Sequence, residues 1–314
     1  MSFSYYNTLQ GQDAVNHLSH IAILGSNGAV GRLFSSNLLR GPQVRVTGAD
    51  LQAESSAALS SSGRYIQADV TCPPDELLLE VRTADCILFC LPKQTALDCA
   101  PLVADAAREG ALLVDTLSIK EEVCAMWQSR SGAKEVLSIN PLFAPDLGFE
   151  GQTVAAVTVR PGVLTSEFLD LIASWEAKVV QMSAEQHDRQ MALVQALTHA
   201  VILAFGLTLA ASDYKVEAMM QVSTPPHRAL LALLARILRG EPTVYREIQV
   251  DNRHAGAVRA ALSAGTTLFD NIAQSSEEDF RRGLQDLRTR LGPRLDELGQ
   301  DCARMFQAIR SPHK

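Results

Sequence analysis

The chain has 314 residues and a formal net charge of −7, and 47% of its residues are hydrophobic. A single hydrophobic core rarely grows beyond about 250–300 residues, so two domains are expected. The acidic balance and the lack of a long basic run argue against nucleic acid as a partner. No apolar run reaches the roughly 18 residues of a membrane span, and the first residues show no secretory signal. We therefore expect a cytoplasmic protein that binds neither membrane nor nucleic acid.

The six cysteines do not follow a metal-binding pattern. They form no CxxC pair and are not spaced with histidine as zinc ligands are. Cys86 and Cys90 would point to the same face of one strand, at a separation too great for a disulfide. The sequence thus predicts reduced thiols and no metal site.

A strand, a glycine-rich turn and a helix follow one another near the start of the chain. The apolar run at 20–24 predicts a buried strand, and the segment 32–39 predicts a helix. In a dinucleotide site, Gly28 would let the backbone approach the pyrophosphate, and Gly31 would let helix and strand pack closely. The helix N-terminus would offer free N–H groups to the phosphates. The predicted cofactor-binding turn comprises Gly25, Ser26, Asn27, Gly28, Ala29, Val30 and Gly31.

The second strand indicates the type of cofactor. It is predicted at 43–48 and is followed closely by Asp50. An acid near the end of this strand typically binds the adenosine ribose hydroxyls and disfavours a 2′-phosphate, which indicates NAD rather than NADP. Alternatively, Asp50 only caps the helix that follows.

Further strands alternate with amphipathic segments. They are predicted at 65–70, 86–92, 111–115, 152–159 and 178–182. This alternation predicts an α/β fold with a Rossmann-type, doubly wound, mostly parallel sheet. Ligands bind at the carboxyl ends of such strands, which adds Leu91 and Pro92 to the cofactor site and puts Ser118 at the same edge. As an alternative, Ser118 caps a helix.

The segment 138–146, SINPLFAPD, separates the two halves of the chain. Pro141 and Pro145 disfavour a helix or a central strand and stiffen the backbone. A stiff, exposed loop at a domain junction suits a catalytic site. The alternative is a rigid linker that contacts no ligand.

The pattern becomes helical after Ser183. Ser183 and Gln186 have the spacing of a capping box. Helices this apolar, in so small a half, are expected to be buried against a second copy of the chain. We therefore predict a nucleotide-binding domain at 1–182 and an all-helical substrate-binding and dimerisation domain at 183–314. The helices are predicted at 183–211, 214–222, 226–239, 241–274 and 277–310.

Five motifs occur together in this order along the chain: GSNGAVGRLF, VDTLSIK, NPLFAPD followed by GQ, EQHDRQMALVQALTHA with AFGLTLA, and STPPHRALLALLARI. With them the chain resembles the prephenate dehydrogenases, which join a Rossmann-type domain to a helical dimerisation domain. The resemblance extends over nearly the whole chain from about Ile21. It implies NAD(P)-dependent oxidation at ring carbon 4 of a cyclohexadiene dicarboxylate, coupled to loss of the ring carboxylate as the product aromatises.

The same resemblance assigns roles to individual residues. It places Ser118 near the substituent on C4, and it places His199 and Arg228 at the substrate carboxylates. A guanidinium suits a carboxylate because it binds bidentately. Taken without the resemblance, His199 reads as a core histidine and Arg228 as an ordinary surface arginine.

Asn140 departs from the family pattern, whose motif begins with a histidine that accepts the proton of the C4 hydroxyl. An amide cannot act as a general base, and loss of such a base commonly costs about 10²–10⁴ in rate. An amino group at C4 would remove the need for a base, because its lone pair can drive hydride loss and form an iminium. Asn140 could then accept an N–H hydrogen bond. The favoured substrate is therefore 4-amino-4-deoxyprephenate, giving 4-aminophenylpyruvate. The alternatives are an ordinary prephenate or arogenate dehydrogenase and a non-catalytic homologue that binds NAD and a ligand.

Overall fold

The computed structural model describes residues 17–41, 44–54, 63–213 and 215–310. The chain forms two compact units, Met1–Arg189 and Gln190–Lys314. The sequence placed the domain boundary after residue 182, whereas the units divide within the helical segment that begins at Ala184. Gln43, which the sequence placed in the second strand, lies outside the described residues.

The first unit is built on one sheet of eight strands in the order β3-β2-β1-β4-β5-β6-β7-β8. All neighbouring strands pair in parallel except β6 and β7, which are antiparallel. The predicted doubly wound, mostly parallel sheet is confirmed. The strands are β1 His20–Leu24, β2 Arg45–Asp50, β3 Arg64–Gln67, β4 Cys86–Phe89, β5 Leu112–Asp115, β6 Glu135–Pro141, β7 Thr153–Arg160 and β8 Lys178–Gln181.

Helices connect most of these strands and cover both faces of the sheet. They are α1 Ala29–Leu38, α2 Asp75–Thr83, α3 Lys93–Ala106, α4 Glu121–Arg130, α5 Val163–Ser174 and α6 Ala184–Met191. Consecutive residues of a strand point to opposite faces, so β1 contributes to two separate cores. Ala22 and Leu24 pack with α2 and α3, while Ile21 and Ile23 pack with α1 and α5.

The core beside α1 contains a cluster of aromatic rings. The ring of Phe34 lies 5.1 Å from that of Phe149, 6.3 Å from Phe168 and 5.9 Å from Trp175, measured between centroids. Phe34 is fully buried. Edge-to-face and stacked rings at these separations add to the burial of apolar area. The cluster fixes α1, and with it the glycine turn that precedes α1, against the sheet.

The segment 138–146 is not the exposed loop that its prolines predicted. Residues 138–141 belong to β6, a central strand that pairs with β5 on one side and β7 on the other. Ser138 and Asn140 are buried. The prediction was wrong because Pro141 is the last residue of the strand, where a missing N–H interrupts little of the ladder.

The second unit is entirely helical in its described residues. Two helices predicted as continuous are each split. The first is interrupted at Asn252, whose carbonyl and side-chain oxygens accept from the backbone N–H groups of Ala255 and His254. The second is interrupted at Gly292, which has a φ of 55°, and at Pro293. The elements are a π-helical segment Ala192–Leu197, α7 Thr198–Ala210, α8 Val216–Gln221, α9 Pro225–Arg239, α10 Pro242–Val250, α11 Ala255–Ala273, α12 Glu277–Leu291 and α13 Arg294–Arg310.

Many large apolar side chains of the second unit are exposed, among them Leu207, Phe269 and Leu287. The continuous helix Ala184–Ala210 is long and apolar enough to cross a membrane by length and composition, although the sequence predicted no such segment. Only 17% of its most apolar window is buried within the chain. Exposed apolar helix faces of this kind need a further partner.

We expect Phe34→Ala to destabilise the first unit by about 3–5 kcal/mol, because it leaves a cavity within the aromatic cluster. Both tryptophans, Trp127 and Trp175, lie in this unit, so denaturant unfolding followed by tryptophan fluorescence reports on it selectively. Leu79→Ala on α2 is the control, since Leu79 is 55% exposed. An equal loss in both variants would contradict the packing role of the cluster.

Candidate active site

The glycine turn between β1 and α1 is packed too tightly for side chains at two positions. Gly25 has a φ of 85°, and a Cβ built there would lie 2.2 Å from the carbonyl oxygen of Cys90. A Cβ on Gly31 would lie 2.1 Å from the carbonyl oxygen of Gly25, which confirms the close helix–strand packing predicted for this glycine. The buried hydroxyl of Ser26 has no hydrogen-bond partner among the described residues. A tight turn with an unsatisfied hydroxyl at a helix N-terminus fits the phosphates of a dinucleotide.

Asp50 lies at the end of β2, beside this turn. Its carboxylate accepts hydrogen bonds from the backbone N–H of Asn27 at 3.0 Å and of Gln52 at 3.2 Å. The side-chain amide of Asn27 donates to the carbonyl oxygen of Ala53 and contacts the hydroxyl of Tyr65. The turn and the end of β2 therefore hold each other in place, with a carboxylate at the position where an adenosine ribose is bound in this class of fold.

The ends of β4 and β5 complete this edge of the sheet. The side chain of Leu91 packs against Gly25, and Pro92 is the residue immediately before α3. Ser118 lies half-buried in the turn between β5 and α4, and its hydroxyl makes no hydrogen bond with the described residues. Ser118 does not cap α4, since that helix begins at Glu121 after Lys120. Its hydroxyl is free to bind a ligand.

Asn140 forms part of a buried chain of polar side chains. Its Nδ2 lies 3.1 Å from Nε2 of His187, and Nδ1 of His187 lies 2.7 Å from Oδ1 of Asp188. The Asp188 carboxylate also accepts from the backbone N–H groups of Lys120 and Glu121, at 2.8 and 2.9 Å. Asn140 is 3% exposed and His187 is 0% exposed. The sequence gave no role to His187 or Asp188, although both lie in the motif EQHDRQMALVQALTHA that contributes to the family resemblance.

The protonation states of His187 and Asp188 are set by burial and by hydrogen bonds. Burial lowers the pKa of His187 and outweighs the hydrogen bond to Asp188, which acts to raise it. Burial acts to raise the pKa of Asp188, but hydrogen bonds from His187, Glu121 and Lys120 outweigh it and lower that pKa. His187 is therefore neutral and Asp188 is ionised at neutral pH.

A second buried network holds the end of β6. The fully buried ammonium of Lys120 donates to Oδ1 of Asp115 at 3.2 Å and to the carbonyl oxygens of Leu117 and Ile139, each at 2.7 Å. Ser138 also donates to Asp115, at 2.8 Å. Lys120 thus binds the residue next to Asn140 directly, and it sets the position of the candidate catalytic amide.

His199, on α7 in the second unit, lies beside the ring of Tyr245 and within the electrostatic influence of Arg236. Its ring lies 5.0 Å from that of Tyr245, edge to face. Burial and the positive charge of Arg236 both lower its pKa. Nδ1 of His199 and Oε1 of Gln195 are buried and have no hydrogen-bond partner in the part of the chain that the structure describes. Gln195 lies in the π-helical segment Ala192–Leu197, a type of irregularity that is frequent at functional sites. Two unsatisfied polar atoms one turn apart suit a polar ligand.

Arg228 is the residue to which the resemblance gave a second role at the substrate carboxylates. It is exposed on α9 and lines a cavity of about 450 Å³ with apolar residues that include Met220, Leu231 and Ile309. The cation whose charge acts on His199 is Arg236, two turns further along α9. A charged residue on an amphipathic helix usually faces solvent, so the sequence alone indicates no role for Arg236.

In the part of the chain that the structure describes, no group of three or more histidine, cysteine, aspartate or glutamate residues could hold a metal ion. The described cysteines are free. Burial raises the pKa of Cys99 and Cys124 to about 12, so both thiols stay protonated at neutral pH.

Fold and site together define a nucleotide-dependent enzyme of the Rossmann class with a helical carboxyl-terminal domain. Residues 38–168 match the prephenate dehydrogenase nucleotide-binding domain, and residues 183–286 match the prephenate dehydrogenase dimerization domain. The chain belongs to the prephenate dehydrogenase family. The predicted family and the dehydrogenase class are thereby confirmed, and so is a nucleotide cofactor.

Individual relatives extend over most of the chain. A protein of Streptomyces pristinaespiralis named 4-amino-4-deoxyprephenate dehydrogenase is 39% identical over 288 residues, which cover 91% of this chain and 96% of that protein. The T-protein of Enterobacter agglomerans is 29% identical over 74% of this chain and 56% of its own length. Prephenate dehydrogenase from A. aeolicus, solved in complex with hydroxyphenyl propionate and NAD+, is 18% identical, with a TM-score of 0.67, and covers 91% of this chain and all of that one.

We expect Arg236→Gln to raise the pKa of His199, because it removes a positive charge that disfavours protonation of the imidazole. NMR titration of the histidine ring protons measures this shift. Arg228→Gln is the matched control on the same helix, and it should leave the pKa of His199 unchanged. A larger shift in the Arg228 variant would mean that Arg228 is the nearer cation.

Proposed function

We propose that the protein catalyses the NAD-dependent oxidative decarboxylation of 4-amino-4-deoxyprephenate to 4-aminophenylpyruvate. NAD, when bound, accepts the hydride that leaves C4. The nitrogen lone pair forms a C4 iminium as the hydride departs. Loss of the ring carboxylate as carbon dioxide then returns an electron pair to the ring, which aromatises and restores the neutral amine. With the C4 amine in its neutral form, no further proton has to be removed from the substrate at either step.

The observation that carries this proposal is Asn140, a buried amide near the end of β6 at the position where the family motif has a histidine. A C4 hydroxyl must lose its proton as the hydride leaves, and an amide has no basicity with which to accept that proton. His187 lies behind Asn140 and is fully buried, with Asp188 on its far side. An amine substituent suits this arrangement, since its N–H groups need only an acceptor. The name of the Streptomyces pristinaespiralis relative supports the same substrate.

The two carboxylates of the substrate require cationic partners. We assign one of them to Arg236, with the imidazole of His199, whose pKa the charge of Arg236 lowers, as a neighbouring hydrogen-bonding group in the second unit. A guanidinium binds a carboxylate through two parallel hydrogen bonds, and this favours arginine for the role. Arg228 remains a candidate for the second carboxylate, as the sequence proposed, and Ser118 for the C4 substituent.

The cofactor and the quaternary state follow from the same proposal. Asp50 at the end of β2 would repel a 2′-phosphate, so NAD is preferred to NADP. The exposed apolar faces of the second unit, together with the match to a dimerization domain, support a homodimer through the helical domain. We place this dimer in the cytoplasm, with a small dicarboxylate as its substrate and with neither nucleic acid nor membrane as a partner.

The proposed substrate is tested by following NADH formation with 4-amino-4-deoxyprephenate, arogenate and prephenate side by side. We expect kcat/KM to be highest for the 4-amino compound, since it alone needs no base at C4. Prephenate or arogenate turned over at least as efficiently would overturn the proposal in favour of an ordinary family activity. NAD binding without turnover of any of the three would indicate a non-catalytic homologue.

Asn140→His should raise kcat/KM for prephenate by at least about tenfold, because it restores a general base of the kind that contributes about 10²–10⁴ in rate. Asn140→Gln is the control, since it changes the side-chain length without adding basicity. The Gln variant should show no gain with prephenate. An unchanged preference in the His variant would mean that specificity is set elsewhere in the site.

A further inference from the structure

The amide of Asn140 has a defined orientation in the site. Its Nδ2 contacts Nε2 of His187 at 3.1 Å, whereas its Oδ1 makes no hydrogen bond with any described residue. Asn140 and His187 are both buried. Exchanging the amide nitrogen and oxygen would replace this contact with one between Oδ1 and Nε2. The position of the His187 proton therefore decides which end of the amide is free.

Asp188 decides where that proton lies. Its carboxylate can only accept hydrogen bonds when ionised, and it takes them from the backbone of Lys120 and Glu121 as well as from Nδ1 of His187. The His187 proton is therefore on Nδ1. In a neutral imidazole Nε2 is then an acceptor, so it receives an N–H from Asn140. The amide nitrogen is held at His187, and the amide oxygen is left free.

We propose that His187, fixed by Asp188, is a positioning residue that sets specificity by presenting Oδ1 of Asn140 to the substituent on C4. This inference rests on the proposed function. The amine at C4 gains positive charge as the iminium forms, so its N–H groups become stronger donors in the transition state. A fixed acceptor is then worth more in the transition state than in the ground state. The reversed amide would direct its own N–H groups at that developing positive charge.

The effects on kcat of substitutions at His187 and Asn140, made singly and together, distinguish a positioning role of His187 from a purely structural one. We expect His187→Leu to lower kcat with the 4-amino substrate by roughly tenfold, the order expected for one lost hydrogen bond, and to change KM by less than about twofold. In an Asn140→Ala background, the same change at His187 should cause no further loss, because no amide is left to orient. Equal losses of kcat in both backgrounds would overturn the proposal.

His20→Leu is the matched control for removal of a buried histidine from the same unit. His20 begins β1, where its ring contacts the Thr47 hydroxyl, at the end of the sheet opposite the ligand-binding edge. This variant should lose stability and keep the kcat of the parent protein. His187→Gln is the conservative replacement, since its side-chain oxygen can accept from Asn140, and it should retain more activity than the Leu variant. A loss as large as that in the Leu variant would count against the orienting hydrogen bond.

A measurement without substrate keeps this inference distinct from the proposed function. In the ¹⁵N-labelled protein, the side-chain amide signal of Asn140 is assigned by its absence in Asn140→Ala. We expect one Nδ2 proton to be shifted downfield and protected from exchange, and both effects to be lost in His187→Leu and kept in His187→Gln. An unprotected amide in the parent protein would overturn the orientation. A protected amide in a protein that prefers prephenate would instead refute the proposed substrate alone.

Discussion

The candidate site depends on the buried carboxylate of Asp188. It accepts hydrogen bonds from the first backbone N–H groups of α4 and from the imidazole of His187, and so it joins the start of α4 to the start of α6. A carboxylate is favourable at a helix N-terminus because it satisfies N–H groups that have no partner within the helix. An ionised group this deep would be costly without those donors. The residues of the site are therefore held in place by hydrogen bonds to a buried charge as well as by apolar packing.

Lys120 connects Asp188 to β6, the strand that contains Asn140. Its backbone N–H binds Asp188, and its buried ammonium binds Asp115 and the carbonyl oxygen of Ile139. Removing one partner from a buried pair of this kind typically costs about 3–5 kcal/mol. The amide of Asn140 is thus positioned from two sides, by the backbone through Ile139 and by the side chain through His187. Such support from surrounding residues is what precise catalytic geometry requires.

The sequence predicted the features that depend on local rules. The glycine turn was readable because Gly25 and Gly31 occupy positions where a Cβ would collide with backbone. The reciprocal hydrogen bonds of Ser183 and Gln186 at the start of α6 match the capping box predicted for them. The segment 138–146 was misjudged, since whether Pro141 ends a central strand depends on the strands beside it. Arg236 was passed over for a similar reason, because its proximity to His199 arises only when two helices pack.

The sequence by itself determined the sheet, the nucleotide turn, the family and the change from histidine to asparagine at residue 140, because these are recorded in short patterns and ordered motifs. Only the tertiary structure decided that Asn140 is buried against His187 and that Asp188 and Lys120 hold both in place. Asn140 and His187 are 47 residues apart in the sequence, and Lys120 and Asp188 are 68 apart. Local propensity carries no information about such pairs. Their geometry is fixed by the pairing of the strands in the sheet, which brings the end of β6 next to the starts of α4 and α6.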